Sequence, residues 1–82
     1  MQLNQEEFVV LWNIECSSQT SPERAAEGSG NTKEKYEHIF GKLCEIGLIS
    51  AQKKDNTFYG ALVNENGRKV LKDKKYLDWI PD

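Results

Sequence analysis

Residues with catalytic or metal-binding potential are few in this sequence, and their spacing matches no catalytic or metal-binding motif. The chain has one histidine, His38, and two cysteines, Cys16 and Cys44. No Ser-His-Asp set, no cysteine-histidine cluster and no carboxylate pair in an evident pocket accompanies them. Gly28-Ser29-Gly30 is not followed by Gly-Lys-Ser/Thr, so it predicts a turn rather than a phosphate-binding loop. We therefore expect no enzyme activity, no catalytic residues, no metal and no cofactor.

Recognition chemistry is better represented, because hydrogen-bond donors occur in two separate segments, residues 31–42 and 53–56. Amide, hydroxyl and ammonium donors of this kind suit phosphate oxygens and base edges. The charge is unevenly divided: residues 1–30 have one basic and five acidic residues, whereas residues 31–82 have ten basic and eight acidic ones. The excess of basic over acidic residues in 31–82 is therefore smaller than in a strongly basic nucleic-acid binder.

The length and composition predict one globular domain over residues 1–82. Aromatic residues make up 10% of the chain, which argues against disorder. The longest apolar run, residues 8–12, is far shorter than the roughly 18 residues of a membrane span, and Met1 is followed by polar residues, so we expect neither a membrane span nor a signal peptide. Two cysteines without a spacing motif indicate a reducing cytoplasm rather than a disulfide scaffold. Both lie on apolar helix faces, so we expect them to be small core residues.

The helices that position these donors have recognisable start signals. Asn4 and Glu7 fit a capping box for a helix over residues 5–16, which is apolar nearly all round and therefore central. Either Thr20 or Ser21 fits the cap of a second helix that ends by residue 27. A third helix begins near Thr32 and ends at Gly47. Its apolar stripe consists of Tyr36, Ile39, Phe40, Leu43 and Ile46.

The second half of the chain predicts a hairpin and a final helix. Residues 51–54 and 57–63 bracket Asp55-Asn56, a short polar turn, and the second arm is rich in β-formers. Asn64 fits the cap of a helix that continues to about Lys75, with Val70 and Leu71 as its buried pair. We expect Trp12 and the stripe of the third helix to form the core against Val63 and that pair.

The order of these elements resembles a winged-helix domain of the MarR type. Residues 42–49, Lys-Leu-Cys-Glu-Ile-Gly-Leu-Ile, are similar to the end of recognition helices in that superfamily. Residues 61–71 are similar to the MarR-type junction between wing and helix, with Asn64 in place of the usual threonine. The resemblance covers residues 5–72. It implies an α+β winged helix-turn-helix fold with a three-helix core, in which the helix-turn-helix spans about 21–47, the wing about 49–63 and the C-terminal helix about 64–77.

The resemblance also implies a small DNA-binding protein, a transcription regulator of bacterial or phage type that contacts double-stranded DNA through the third helix and the wing. The candidate contacts are Asn31, Thr32, Lys33, Lys35, His38, Lys42, Lys53, Lys54, Asn56 and Arg68. An ordinary solvated helix face would also explain lysines that alternate with Glu34, Glu37 and Glu45. A winged-helix protein–protein interaction module without DNA binding is therefore the alternative, favoured by the acidic net charge.

The end of the chain is unusually apolar, with Tyr76, Leu77, Trp79 and Ile80 after the final helix. A solvated terminus is normally polar, so these side chains are expected to be covered. Two outcomes are open. The tail folds back onto the first helix, which we favour, or it meets the same tail of a second copy in a homodimer.

Overall fold

The computed structural model describes residues 3–16, 21–27, 30–55 and 57–80. The described residues form four α-helices and one hairpin, and a 3₁₀ helix follows the last α-helix. Their bounds are α1 Gln5–Glu15, α2 Pro22–Glu27, α3 Lys33–Glu45, β1 Ile49–Lys54, β2 Thr57–Val63, α4 Glu65–Leu71 and the 3₁₀ helix Lys74–Trp79. The two strands pair antiparallel. The α+β arrangement of three helices, a hairpin and a further helix agrees with the predicted winged-helix fold.

Helix α1 begins at the predicted capping box and lies at the centre of the molecule. The Asn4 side chain accepts the Glu7 N–H at 2.8 Å, and the Glu7 carboxylate accepts the Asn4 N–H at 3.0 Å. Because the helix is apolar on most sides, it packs against α3, β2, α4 and the 3₁₀ helix. Phe8 and Leu11 are completely buried there.

The two cysteines are less buried than the sequence predicts. Cys16 is exposed because α1 ends at Glu15 and Cys16 caps it, with its N–H donating to the Trp12 carbonyl at 3.0 Å. Cys44 is half-buried on α3, and burial raises the pKa of its thiol. The prediction of two core cysteines was therefore wrong for Cys16 and only partly correct for Cys44.

Helices α2 and α3 form the helix-turn-helix with local caps. Of the two predicted caps for α2, the described one is Ser21, whose hydroxyl accepts the Arg24 N–H at 3.2 Å; Thr20 lies outside the described residues. Helix α3 ends where Gly47 adopts a φ of +81°, a left-handed conformation that glycine adopts without steric cost. The Leu48 N–H then returns to the Leu43 carbonyl at 3.0 Å and closes the helix end.

The hairpin covers the core with one face and leaves the other face exposed. Phe58, Ala61 and Val63 of β2 are buried, whereas Leu62 between them is 70% exposed. The strand register shifts between Gln52 and Lys53, so that Tyr59 becomes the extra residue of a bulge. The hairpin therefore packs against the helices through its inner face, which consists of Phe58, Ala61 and Val63.

The predicted core is correct at its centre and too wide at its edges. Ile39, Phe40 and Leu43 of α3 are buried, as are Val63 and Leu71. The Phe40 ring lies 6.0 Å from the Phe58 ring between centroids. Three further residues of the predicted core are only half-buried at its periphery: Trp12, Ile46 and Val70.

The C-terminal helix predicted over residues 64–77 is instead two elements. Helix α4 ends at Leu71, and Asp73 caps a new 3₁₀ helix by accepting the Lys75 N–H at 3.1 Å. The break redirects the chain so that the Tyr76 ring packs 5.0 Å from Phe8, between centroids. A continuous helix would not turn back across α1 in this way.

The apolar tail folds back onto α1, which is the outcome favoured from the sequence. The Tyr76 hydroxyl accepts the Leu3 N–H at 3.2 Å. Trp79 and Ile80 pack against the same core, whereas Leu77 is 58% exposed. A homodimer through Tyr76, Leu77, Trp79 and Ile80 stays a prediction. Leu77 is the most exposed of these four side chains.

Candidate nucleic-acid interface

The first turn of α3 presents polar groups whose positions are fixed by local hydrogen bonds. The Thr32 hydroxyl accepts the Lys35 N–H at 3.3 Å and thereby caps the helix. The side-chain amide of Asn31 donates to the Tyr36 hydroxyl at 3.4 Å. Asn31 and Thr32 are both exposed. This turn therefore combines exposed side chains with the amides of a helix N-terminus, which can hold a phosphate.

A groove of about 800 Å³ separates the outer face of α3 from the hairpin. It brings together three of the predicted contacts, His38, Lys42 and Lys53. The remaining lining residues are Glu34, Glu37, Gly41, Glu45, Ile46 and Phe58. The groove thus has both cations and carboxylates, and the predicted donors face it together with three acidic side chains.

Lys42 is held by a carboxylate of α1. Its ammonium nitrogen lies 2.6 Å from Oε2 of Glu7, whose side chain is 8% exposed. Burial of this carboxyl would raise its pKa, but the hydrogen bonds from Lys42 and from the Asn4 N–H, with the positive charge of Lys42, lower the pKa below its usual value. Both Glu7 oxygens are therefore engaged, one with the helix cap and one with α3.

The other two lysines of α3 also have acidic neighbours. Lys35 Nζ lies 2.7 Å from Oε2 of Glu6, and this hydrogen bond raises the pKa of Lys35. Lys33 Nζ lies 3.9 Å from Oε1 of Glu37, one helical turn further along. The side chains of both pairs are 32–46% exposed, so each pair stabilises the fold little. The Lys42 pair differs in its carboxylate, which is buried, although the Lys42 side chain is itself 43% exposed.

The remaining predicted contacts lie on the wing and on α4. Lys53 Nζ lies 4.5 Å above the centre of the Phe58 ring, and Lys54 is exposed at the end of β1. Asn56 lies outside the described residues. Arg68 does not line the groove, and its Nε lies 3.5 Å from the Glu15 carboxylate at the end of α1. The nine predicted contacts that the structure describes therefore do not all border one groove.

Sequence reasoning missed the carboxylates that hold α3. Glu7 was assigned only to the capping box, although a capping carboxylate leaves one oxygen free for a second partner. The signal was present in the adjacent pair Glu6-Glu7, but its partners lie about thirty residues further along the chain. Only the packing of α1 on α3 brings them together.

Two further observations bear on the kind of site. Among the described residues, no group of three histidine, cysteine, aspartate or glutamate side chains is placed to hold a metal ion. Within the same ranges, every helix is too short or too polar to cross a bilayer.

The fold is similar to that of a solved protein. The MarR family protein Rv2887 of Mycobacterium tuberculosis, determined in complex with p-aminosalicylic acid, superimposes with a TM-score of 0.67 at 23% sequence identity. The match covers 85% of this chain and 54% of that protein, so the chain spans about half the length of the structure it matches. The sequence matches no protein-family model and no curated protein. The structural match confirms the predicted fold: this chain has a MarR-like winged-helix fold.

Proposed function

We propose that this chain is a DNA-binding transcription regulator of bacterial or phage type. The single observation that carries the proposal is the MarR-like winged-helix fold, in which α3 and the hairpin border one exposed groove. Winged helices of this kind place the third helix in the major groove and the wing on the neighbouring backbone or minor groove.

The available cations define how the chain would contact a duplex. Lys53 and Lys54 extend from the wing, and Lys33 lies at the start of α3 beside the exposed Thr32 cap. Lys35 and Lys42 are held by α1, and Arg68 is directed to Glu15. Phosphate contacts by the three remaining lysines, Lys33, Lys53 and Lys54, predict a slope of about −2.7 for log affinity against log salt.

Fluorescence anisotropy with a labelled duplex, measured over a series of salt concentrations, tests the proposal. Lys54→Gln should make the slope shallower by about 0.9, because it removes one phosphate contact. Lys74→Gln is the matched control, since it changes the net charge equally from the exposed 3₁₀ helix. Absence of binding at low salt, or equal slopes for the two variants, would reject DNA binding by this face.

One observation favours a second candidate, a protein–protein interaction module. Three glutamates, Glu34, Glu37 and Glu45, line the groove where a duplex would approach, and the chain has a net charge of −2. Carboxylates repel phosphates, whereas they suit a basic protein surface. Replacement of these three glutamates by glutamine should weaken the affinity for a basic protein surface, and that result would favour this candidate. Affinity for DNA should instead become stronger on the same replacement.

A further inference from the structure

We propose that two adjacent carboxylates of α1 give two of the three lysines of α3 different roles, one as a positioning residue and one as a DNA-affinity residue. Glu7 holds Lys42 as part of the fold, whereas Glu6 withholds Lys35 from DNA through an exposed contact that stabilises the fold little. The inference rests on the proposed DNA binding and specifies which lysine becomes available for it when its carboxylate is removed.

Lys42 is a positioning residue because its partner is built into the start of α1. Among the described residues, Glu7 is the single buried charged residue, with 6% of the whole residue exposed. One of its oxygens accepts the Asn4 N–H at 3.0 Å and the other faces Lys42 Nζ at 2.6 Å. Moving Lys42 to a phosphate would leave this buried carboxylate without its cation, which is unfavourable. Lys42 therefore anchors α3 to α1.

Lys35 differs because both members of its pair are accessible to water. The side chains of Lys35 and Glu6 are 40% and 46% exposed, although their charged atoms lie only 2.7 Å apart. An exposed pair of this kind stabilises a fold little, and either partner is solvated after separation. While Glu6 is present it keeps Lys35 from a DNA phosphate, and its removal frees Lys35 for one phosphate contact. Glu6 is then a competitor that lowers the affinity of α3 for DNA.

Replacement of Glu6 gives a direct test, and Glu15 supplies a matched control on the same helix. Glu6→Gln and Glu15→Gln change the net charge equally, but Glu15 pairs with Arg68 of α4, whereas Glu6 pairs with Lys35 of α3. Glu6→Gln should steepen the salt slope by about 0.9, so its gain in affinity over the unmodified chain should be about 3.5-fold larger at about 50 mM than at about 200 mM salt. Glu15→Gln should leave the slope unchanged.

Two additional variants assign the effect to the lysines. In a Lys35→Gln background, Glu6→Gln should no longer change the slope, because the released cation is absent. Lys42→Gln should also leave the slope unchanged at a temperature where circular dichroism shows the variant to be folded. A slope that becomes shallower by about 0.9 for Lys42→Gln would show a phosphate contact by Lys42 and overturn its assignment as a positioning residue.

The outcomes separate this inference from the function on which it rests. If the unmodified chain binds DNA with a measurable salt slope and Glu6→Gln behaves like Glu15→Gln, the inference is wrong and DNA binding stands. If neither the chain nor the Glu6→Gln variant binds at low salt, both proposals fail. Binding that appears only after Glu6→Gln would support the competition directly.

Discussion

Gly67, in the first turn of α4, lies against the turn between α3 and β1 with no space for a side chain. A Cβ at this position would overlap the Leu48 carbonyl oxygen and would lie 2.5 Å from Cγ1 of Val63. The Leu48 carbonyl also accepts the Asn64 N–H at 3.1 Å, so it cannot turn aside without losing that bond. Gly67→Ala should therefore displace α4 from the hairpin.

The expected magnitude follows from three contributions. Overpacking of a filled site costs about 1–3 kcal/mol. Loss of the backbone hydrogen bond from Asn64 to Leu48 would add about 1 kcal/mol. Alanine gains about 1 kcal/mol over glycine from its helix propensity. The net expectation is a decrease of about 1–3 kcal/mol in the free energy of unfolding, or at least about 4 °C in Tm for a domain of this size.

Thermal and urea unfolding, followed by circular dichroism, measure this effect. Gly41→Ala is the matched control, because Gly41 lies inside α3 and a Cβ there would have no neighbour within 4 Å. That substitution should stabilise the chain by about 0.4–1 kcal/mol. The reasoning would be refuted if Gly67→Ala were as stable as the unmodified chain, or if the two alanine variants shifted Tm equally.

Three further substitutions test the packing and the buried charge. Phe40→Ala empties a fully buried position and should cost about 3–5 kcal/mol in urea unfolding; an unchanged Tm would contradict the core assignment. Lys42→Met leaves the Glu7 carboxylate buried without its cation and should cost about 1–3 kcal/mol at neutral pH. Because the folded-state pKa of Glu7 is lowered, the stabilisation is present above the unfolded-state pKa and is lost as pH falls through the folded-state value. The difference between Lys42→Met and the unmodified chain should therefore shrink below about pH 4, and a constant difference would contradict the pairing. Tyr76→Phe keeps the ring beside Phe8 but removes the acceptor of the Leu3 N–H, so it should cost about 0.5–1.5 kcal/mol in thermal unfolding, and no loss would show that this bond is unimportant.

Elements with local signals were predictable from the sequence. The Asn4–Glu7 capping box, the start of α3 near Thr32 and the Gly47 helix end depend on residues within a few positions of each other, and all three occur as predicted. The hairpin was predicted from the polar turn and the segment rich in β-forming residues after it, and both strands are present. Each of these features is determined by the geometry of one turn of chain, which sequence patterns describe directly.

The remaining features depend on contacts between distant segments. The end of α4 at Leu71 is not apparent from its own residues, because the reason for the break is the packing of Tyr76 on Phe8. The exposure of Cys16 depends on where α1 stops, which differs by one residue from the predicted end. The pairs that occupy Lys35 and Lys42 likewise require α1 to lie beside α3. Periodicity finds the face of a helix but not its neighbour.

Asn64 bonds to the same turn between α3 and β1 that excludes a side chain at Gly67. Asn64 donates its side-chain amide to the Gly47 carbonyl at 2.8 Å and accepts the Gly67 N–H at 3.0 Å. Its own N–H donates to the Leu48 carbonyl, so a single residue connects the end of α3, the start of β1 and the cap of α4. Threonine at this position would cap α4, but its hydroxyl is one short group where asparagine has separate donor and acceptor atoms. The backbone N–H bond to Leu48 would be kept with threonine, so the asparagine side chain adds the link from the α4 cap to the Gly47 carbonyl at the end of α3.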